Sequence, residues 1–432
     1  MSNRIIIFLT LATLIRLALS NLFPLTADES YYWLWSKHLD WSYVDHPPMV
    51  AYINYLTTHG IENLFTLRLG ATLITLLVSI FIYFLAKETF NEKIAFWSAV
   101  LFQITPHFLI VWLTMFVELP LALFWTASLL ILSRILKTLN FKLWYLLALT
   151  LGLGYLSKYT MFLFWPCFIF FLIIDPQSRV WLKRKEIYFC FFLSLIFFLP
   201  VIYWNRQHHW ISFAFHSGKA TADPWGVNFP LFIVDQIVHF SPFLVSSLYG
   251  AGRYSFNINR QTKLLFSFSF PIIILFLFLS LKIKVWAHWP SIGYLGTIPL
   301  VLNYLAENKK SISKLISQIS VFSSLVLFIL FFITPAIFLH QKEYRENYNL
   351  AKKIPKEYKV FCKTNVTASL LEFYLKRPTY LATGFLKPYS LWGEKQYEIW
   401  GIPNLKKGET IIYFGEENKN FQKYFRRAIP LP

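Results

Sequence analysis

Residues 26–49 read TADESYYWLWSKHLDWSYVDHPPM, and this stretch orients everything around it. Asp28 and Glu29 stand side by side shortly after the apolar run Ile5–Leu19, and Tyr31, Tyr32, Trp33 and Trp35 follow at once. A chain leaving a bilayer has this pattern, with charge in the water and aromatic rings among the head groups. Asp45-His46-Pro47-Pro48 then stops one segment and starts another. A residue before proline is driven from the helical region, and proline suits a first helical turn. Two adjacent acids alone could be simple solvation of a helix end. With the aromatic run and the His-Pro-Pro turn they make a compound pattern, and a candidate site, of Asp28, Glu29, Tyr31, Tyr32, Asp45 and His46.

Composition puts this stretch in a membrane protein. Of 432 residues, 56% are hydrophobic and only 15% charged, whereas a soluble chain is closer to a quarter charged. Disorder, collagen and disulfide-scaffold classes are excluded. Ile5–Leu19 is interrupted by Arg16 and lacks a small-residue cleavage site, so it is expected to be a first spanning helix rather than a signal peptide. Further apolar runs lie near 67–86, 95–112, 117–135, 143–157, 160–174, 187–204, 231–250, 265–281, 287–304 and 317–338. The expectation is a polytopic all-α membrane protein with about 11 transmembrane helices, some runs being shorter than a full span needs.

The net charge of +19 could suggest nucleic acid, but its distribution does not. Basic residues gather in alternate loops: Lys87/Lys93, Arg134/Lys137/Lys142, Arg179/Lys183/Arg184/Lys185, Arg253/Arg260/Lys263 and Lys309/Lys310/Lys314. The first loop, 23–66, instead carries Asp28, Glu29, Asp40, Asp45 and Glu62 against Lys37 alone. By the positive-inside rule the basic loops are cytoplasmic and the acidic loop faces outward. No nucleic acid is expected as a partner; membrane lipids are.

From about Gln341 the composition turns mixed polar. Lys359–Cys362 and Thr410–Phe414 read as strands bracketing a helical pattern near Ala368–Leu375. We expect residues 1–340 to form the membrane domain and 341–432 a small extracytoplasmic α/β domain. Its 17 Lys and Arg against 9 Glu suit a solvated surface or anionic head groups.

Asp-Glu-x-Tyr-Tyr-Trp followed by Asp-His-Pro-Pro resembles the first periplasmic loop of bacterial GT-C glycosyltransferases, the group of the protein O-mannosyltransferases and the lipid A aminoarabinose transferases (glycosyltransferase families 39 and 83). Arg68-Leu69, Ser157-Lys158-Tyr159-Thr160, His209-Trp210-Ile211-Ser212-Phe213 and His288-Trp289-Pro290 resemble further motifs of that group. The resemblance covers roughly residues 1–305. The C-terminal part matches loosely, through Gln396-Tyr397-Glu398-Ile399-Trp400. Two departures stand out. Glu118-Leu119-Pro120-Leu121 replaces an Asp-x-Pro-Leu, lengthening the carboxylate by one methylene. Asp45-His46-Pro47 stands where the aminoarabinose enzymes have Glu-Lys-Pro, whose Lys contacts lipid phosphate, so that role becomes pH-sensitive or passes to another residue.

The resemblance implies a GT-C fold and an inverting glycosyltransferase of the bacterial inner membrane, with its active site facing the periplasm. Its donor would be a sugar on a polyprenyl phosphate (undecaprenyl-phosphate-like), and its acceptor lipid A, lipopolysaccharide or another envelope glycan. Asp28 is then the expected base, Glu29 would hold the loop or bind sugar hydroxyls, and Glu118 could approach Asp28 across the cavity. Two close carboxylates would raise one pKa and suit base duty. Lys158, Arg68 and Arg206 are cations at the outer boundary that could bind the leaving phosphate, with His46 and His288 near them, since cations at that depth are costly unless used or snorkelling. Tyr31 and Tyr32 could stack on sugar, with Asp45 adjacent.

His208, His209, His216 and His288 have no standard metal spacing, so no metal or other cofactor is expected. Asp235, inside an apolar run, is a functional candidate without a visible partner, and Arg16 reads as a packing or ion-pair residue. Cys167, Cys190 and Cys362 form no framework. A protein O-glycosyltransferase is the alternative within enzymes. Outside them, a sugar or lipid transporter or flippase should show repeat symmetry and mid-membrane charge.

Overall fold

The computed structural model describes residues 2–138, 140–219, 224–256, 259–330, 349, 352–382, 392–401 and 411–414. Among the described residues most of each apolar run is helical, whereas 287–290 lie in a loop before helix Ser291–Glu307 and 331–338 lie outside the described residues. Five helices are long and apolar enough to cross a membrane by length and composition: Asn3–Ser20, Leu64–Thr89, Glu118–Thr138, the continuous stretch Lys185–Gln207, and Arg260–Leu279. Two further runs are broken spans. Glu92–Ile104 meets Pro106–Leu113 at 66°, and Phe229–Phe240 meets Pro242–Ser255 at 100°, so counting each pair once gives seven. Both breaks fall before a proline at a helix N-terminus, where proline is tolerated and the preceding residue leaves the helix. Ser241 at the second break has φ +70°, and its hydroxyl accepts from the Phe243 amide. Leu143–Tyr155, Tyr159–Ile174 and Ile312–Phe328 are shorter apolar helices. The protein is a multi-pass membrane protein.

Aromatic and aliphatic side chains outside the core cover much of the helical surface. Ile7, Leu14, Phe192, Ile196, Leu231 and Phe278 are all exposed, as lipid-facing helices require. Arg16 is buried within the first helix. Its Nε donates to Gln103 Oε1 at 2.6 Å and its Nη2 to the Phe108 carbonyl at 2.6 Å, while Gln103 donates to Ser79 at 2.7 Å. Arg16 thus satisfies a backbone carbonyl just past the break in Glu92–Leu113 and holds three helices together.

The C-terminal segment forms a three-stranded parallel sheet. β1 (Lys359–Cys362) lies between β2 (Thr379–Leu381) and β3 (Ile411–Phe414), in the order β2-β1-β3. Helix Asn365–Leu375 is the crossover between β1 and β2 that a parallel pair requires. Both strands of the sequence expectation are present, as β1 and β3; β2 and helix Trp392–Trp400 are additions to it. Thr410, the first residue of that expected strand, lies outside the described residues. The unit clamps onto helix Ala27–Trp35. Ser30 and Ser369 hydroxyls meet at 2.9 Å, Trp33 packs edge-on to Phe373, Val44 N–H donates to Gln396 Oε1 at 2.8 Å, and His38 stacks on Trp400.

Candidate active site

The geometry begins with a capping box. Thr26 Oγ1 accepts from the Glu29 amide at 3.3 Å and Glu29 Oε2 accepts from the Thr26 amide at 3.4 Å. That reciprocal pair starts helix Ala27–Trp35 and turns Glu29 inward. There Arg68 grips it with Nε and Nη2 at 2.8 and 2.6 Å, both side chains fully buried. The remaining Arg68 donors go to the carbonyls of Ser20, Phe23 and Pro24. All five guanidinium N–H groups are consumed, so none is left for a phosphate. Of the two readings of Glu29, this geometry is that of a residue holding the loop; together Glu29 and Arg68 tie the end of the first helix to Leu64–Thr89, and the phosphate role expected of Arg68 has no free donor here.

Asp28, one residue earlier, lies about 100° away around the helix and is exposed. It lines a cavity of about 610 Å³. Tyr31, Tyr32, Asp45 and His46 line it from the same stretch of chain. Glu118 enters from the first turn of helix Glu118–Thr138, and Lys158 from the link between Leu143–Tyr155 and the following 3-10 turn. Lys158 and Glu118 form a buried ion pair, and His288 Nε2 lies 3.3 Å from Glu118 Oε1. Lys158 Nζ also lies 5.9 Å from the centre of the Trp289 ring. Burial, reinforced by the surrounding carboxylates of Asp28, Glu118 and Asp45, pushes the Tyr32 phenol well above its usual range. Tyr32 is therefore a neutral hydroxyl between three acids.

The opposite wall is braced by hydrogen bonds to the 43–46 turn. His216 Nε2–H donates to the Asp45 carbonyl at 2.9 Å, and Ser212 Oγ donates to the Tyr43 carbonyl at 2.9 Å. Asp40, behind the turn, accepts from Trp204 Nε1 at 2.7 Å. Phe116, Tyr159, Thr160, Phe215, Phe276, Trp286 and Trp289 complete the lining, together with Asn365 from the C-terminal unit. Asn365, Phe276 and Trp286 were not singled out from the sequence. Asn365 is an ordinary first residue of a capped helix, so nothing local marks it.

Arg206 belongs to the last turn of Leu199–Gln207, where it is exposed and outside the cavity lining, so the expected phosphate role is not met by its position. His208 stacks on Trp204 and bonds its carbonyl at 2.8 Å, away from the cavity. Among the described residues no three His, Cys, Asp or Glu side chains come together as a metal site. Asp235 lies one turn before His239, whose Nδ1 meets His107 Nδ1 at 3.1 Å. The assembled cavity offers an exposed carboxylate for proton transfer, and a cation held in place by a second carboxylate.

Comparison with known proteins agrees with this architecture. Residues 45–204 match the dolichyl-phosphate-mannose-protein mannosyltransferase family model. A lipid A galacturonosyltransferase, RgtD of Rhizobium johnstonii, is 25% identical over 183 residues, a match spanning 42% of this chain and 38% of that relative. ArnT from Cupriavidus metallidurans bound to undecaprenyl phosphate superposes with a TM-score of 0.68 at 13% identity, covering 88% of this chain and 86% of that one. The Archaeoglobus fulgidus oligosaccharyltransferase follows with a TM-score of 0.51 at 13% identity, over 87% of this chain and 64% of that one. In fold, the chain is similar to ArnT and, more loosely, to the oligosaccharyltransferase.

Proposed function

We propose that the protein is an inverting glycosyltransferase of the bacterial inner membrane. It moves a sugar from a polyprenyl-phosphate donor to lipid A or another envelope glycan on the periplasmic face. The observation that carries this reading is the pairing of exposed Asp28 with the Lys158–Glu118 ion pair in one cavity. The Asp28 carboxylate takes the acceptor hydroxyl proton as the acceptor oxygen bonds to the anomeric carbon. The bond from that carbon to the lipid phosphate breaks on the opposite face. Lys158, aimed by Glu118, meets the charge that grows on the departing phosphate. Tyr31 and Tyr32 offer ring faces and hydroxyls to the sugar, while His46 and His288 stand by as further donors. The ArnT structure named for its bound undecaprenyl phosphate and the lipid A transferase relative support the donor and acceptor classes. Residues 341–432 are proposed as the outer unit that completes the site through Asn365.

A protein acceptor is the second reading, favoured by the protein mannosyltransferase family match. Mass spectrometry of lipid A from cells with and without the protein tests the choice. Loss of one glycosyl mass on deletion, restored by the wild type and not by Asp28→Asn, supports the lipid acceptor. Unchanged lipid A with a lost glycoprotein signal supports the protein acceptor.

A further inference from the structure

The loop 280–290, reading SLKIKVWAHWP, joins helix Phe270–Leu279 to helix Ser291–Glu307. It alternates: Lys282, Lys284 and Trp286 are exposed, whereas Val285 and Ala287 are buried. Trp286 is 49% exposed and also lines the cavity, so the cavity reaches the surface at this ring. Lys284 Nζ sits 4.1 Å from the centre of that ring. Three residues on, Trp289 lines the cavity and faces Lys158. One loop therefore carries two tryptophans, each with a lysine. The first pair stands at the mouth, the second beside Glu118 inside.

The positive-inside distribution gives no account of Lys282 and Lys284, because their loop lies on the cavity side of the molecule, opposite the Lys309/Lys310/Lys314 loop. Next to the mouth, helix Phe270–Leu279 presents Phe276 to the cavity and turns Ile274, Leu275 and Phe278 outward as apolar surface. Apolar surface ending at a lysine on an aromatic ring matches a lipid with a long hydrocarbon chain and an anionic head. Attraction to the ring face holds the Lys284 ammonium at the mouth.

We propose that Lys284 and Trp286 form a capture site for a polyprenyl phosphate at the lateral mouth of the cavity. The isoprenoid chain lies along the outward face of Phe270–Leu279, and the phosphate passes from Lys284 to Lys158. This rests on the polyprenyl-phosphate reading of the cavity, and adds to it an entry and exit point outside the transfer site.

The test is binding of undecaprenyl phosphate to the full-length protein in phosphatidylcholine nanodiscs, read by native mass spectrometry. Lys284→Ala should weaken binding roughly fivefold, the scale of an exposed charge contact, and Lys284→Arg should restore it. Undecaprenol, which lacks the phosphate, should bind wild type and Lys284→Ala alike. Equal undecaprenyl phosphate affinity in wild type and Lys284→Ala overturns the proposal, as does an equal loss for undecaprenol. Phosphatidylglycerol should not compete. If it displaces undecaprenyl phosphate mole for mole, the site is a general anionic-lipid patch and the proposal fails. If Lys158→Ala loses binding while Lys284→Ala does not, the capture site falls and the reading of the cavity stands. No binding by the wild type removes both.

Discussion

Asp28 and Glu29 are chemically alike and adjacent, yet one is exposed in the cavity and the other is sealed beneath it. Their separation follows from helix geometry plus one capping box, and the two acids should fail in different ways. Asp28→Asn should lower turnover about a hundredfold or more with unchanged expression and melting temperature, measured with purified protein and lipid-linked donor. Near-normal turnover would remove Asp28 from the chemistry. Glu29→Gln leaves Arg68 buried without its counter-charge, a defect costing about 3–5 kcal/mol. It should appear as lost yield and a lower melting temperature before any kinetic effect. At Lys158 the two kinds of loss combine. Lys158→Ala strands the Glu118 carboxylate, so the double variant Lys158→Ala/Glu118→Gln should recover stability while its apparent donor constant stays raised. Recovery of donor use in the double variant would exclude Lys158 from phosphate binding.

At the level of elements, helix Asn365–Leu375 joins the C-terminal sheet to the cavity and carries a titratable group in its core. Burial pushes the Glu372 carboxyl from 4.5 up to about 7, against the opposing pull of hydrogen bonds from Thr379. A folded-state pKa above the unfolded value means that folding holds the proton. The stabilisation is complete below about 4.5 and is lost as pH rises through about 7. The loss across that interval is on the order of 3 kcal/mol. Amide hydrogen exchange in Asn365–Leu375 should therefore speed up between mildly acidic and neutral pH beyond its intrinsic rise, and Glu372→Gln should flatten the change. An identical profile in the variant would place the pH dependence elsewhere.

For the whole molecule, the acidic first loop and the cavity share one side and the basic loops the other. Cys167, Cys190 and Cys362 are all buried, so an introduced cysteine can be read against a quiet background. Leu39→Cys, at a position 46% exposed, should react with a membrane-impermeant maleimide from the outer face of the inner membrane. Labelling only after that membrane is permeabilised would reverse the orientation. Because the proposed chemistry runs on carboxylate and cationic side chains, transfer should also survive exhaustive chelation. Activity lost to a chelator and returned by one divalent cation would require a different mechanism.

Much of this architecture is legible in the chain. The runs of apolar residues locate the helices because a bilayer demands backbone satisfaction within each segment. Loop charge gives the expected sidedness, and the motifs around Asp28, Glu118, Lys158 and His288 point to one cavity. Local pattern could not separate Asp28 from Glu29, or Arg68 from Lys158, because a side chain's role depends on which way it faces and on the partners it meets. Arg68 looks like a phosphate ligand until the carbonyls of Ser20, Phe23 and Pro24 fill its donors. Asn365 and Trp286 reach the cavity from segments far along the chain. Their contribution arises only when the C-terminal unit docks on Ala27–Trp35 and the 280–290 loop folds over Lys158, contacts between distant segments that no local spacing encodes.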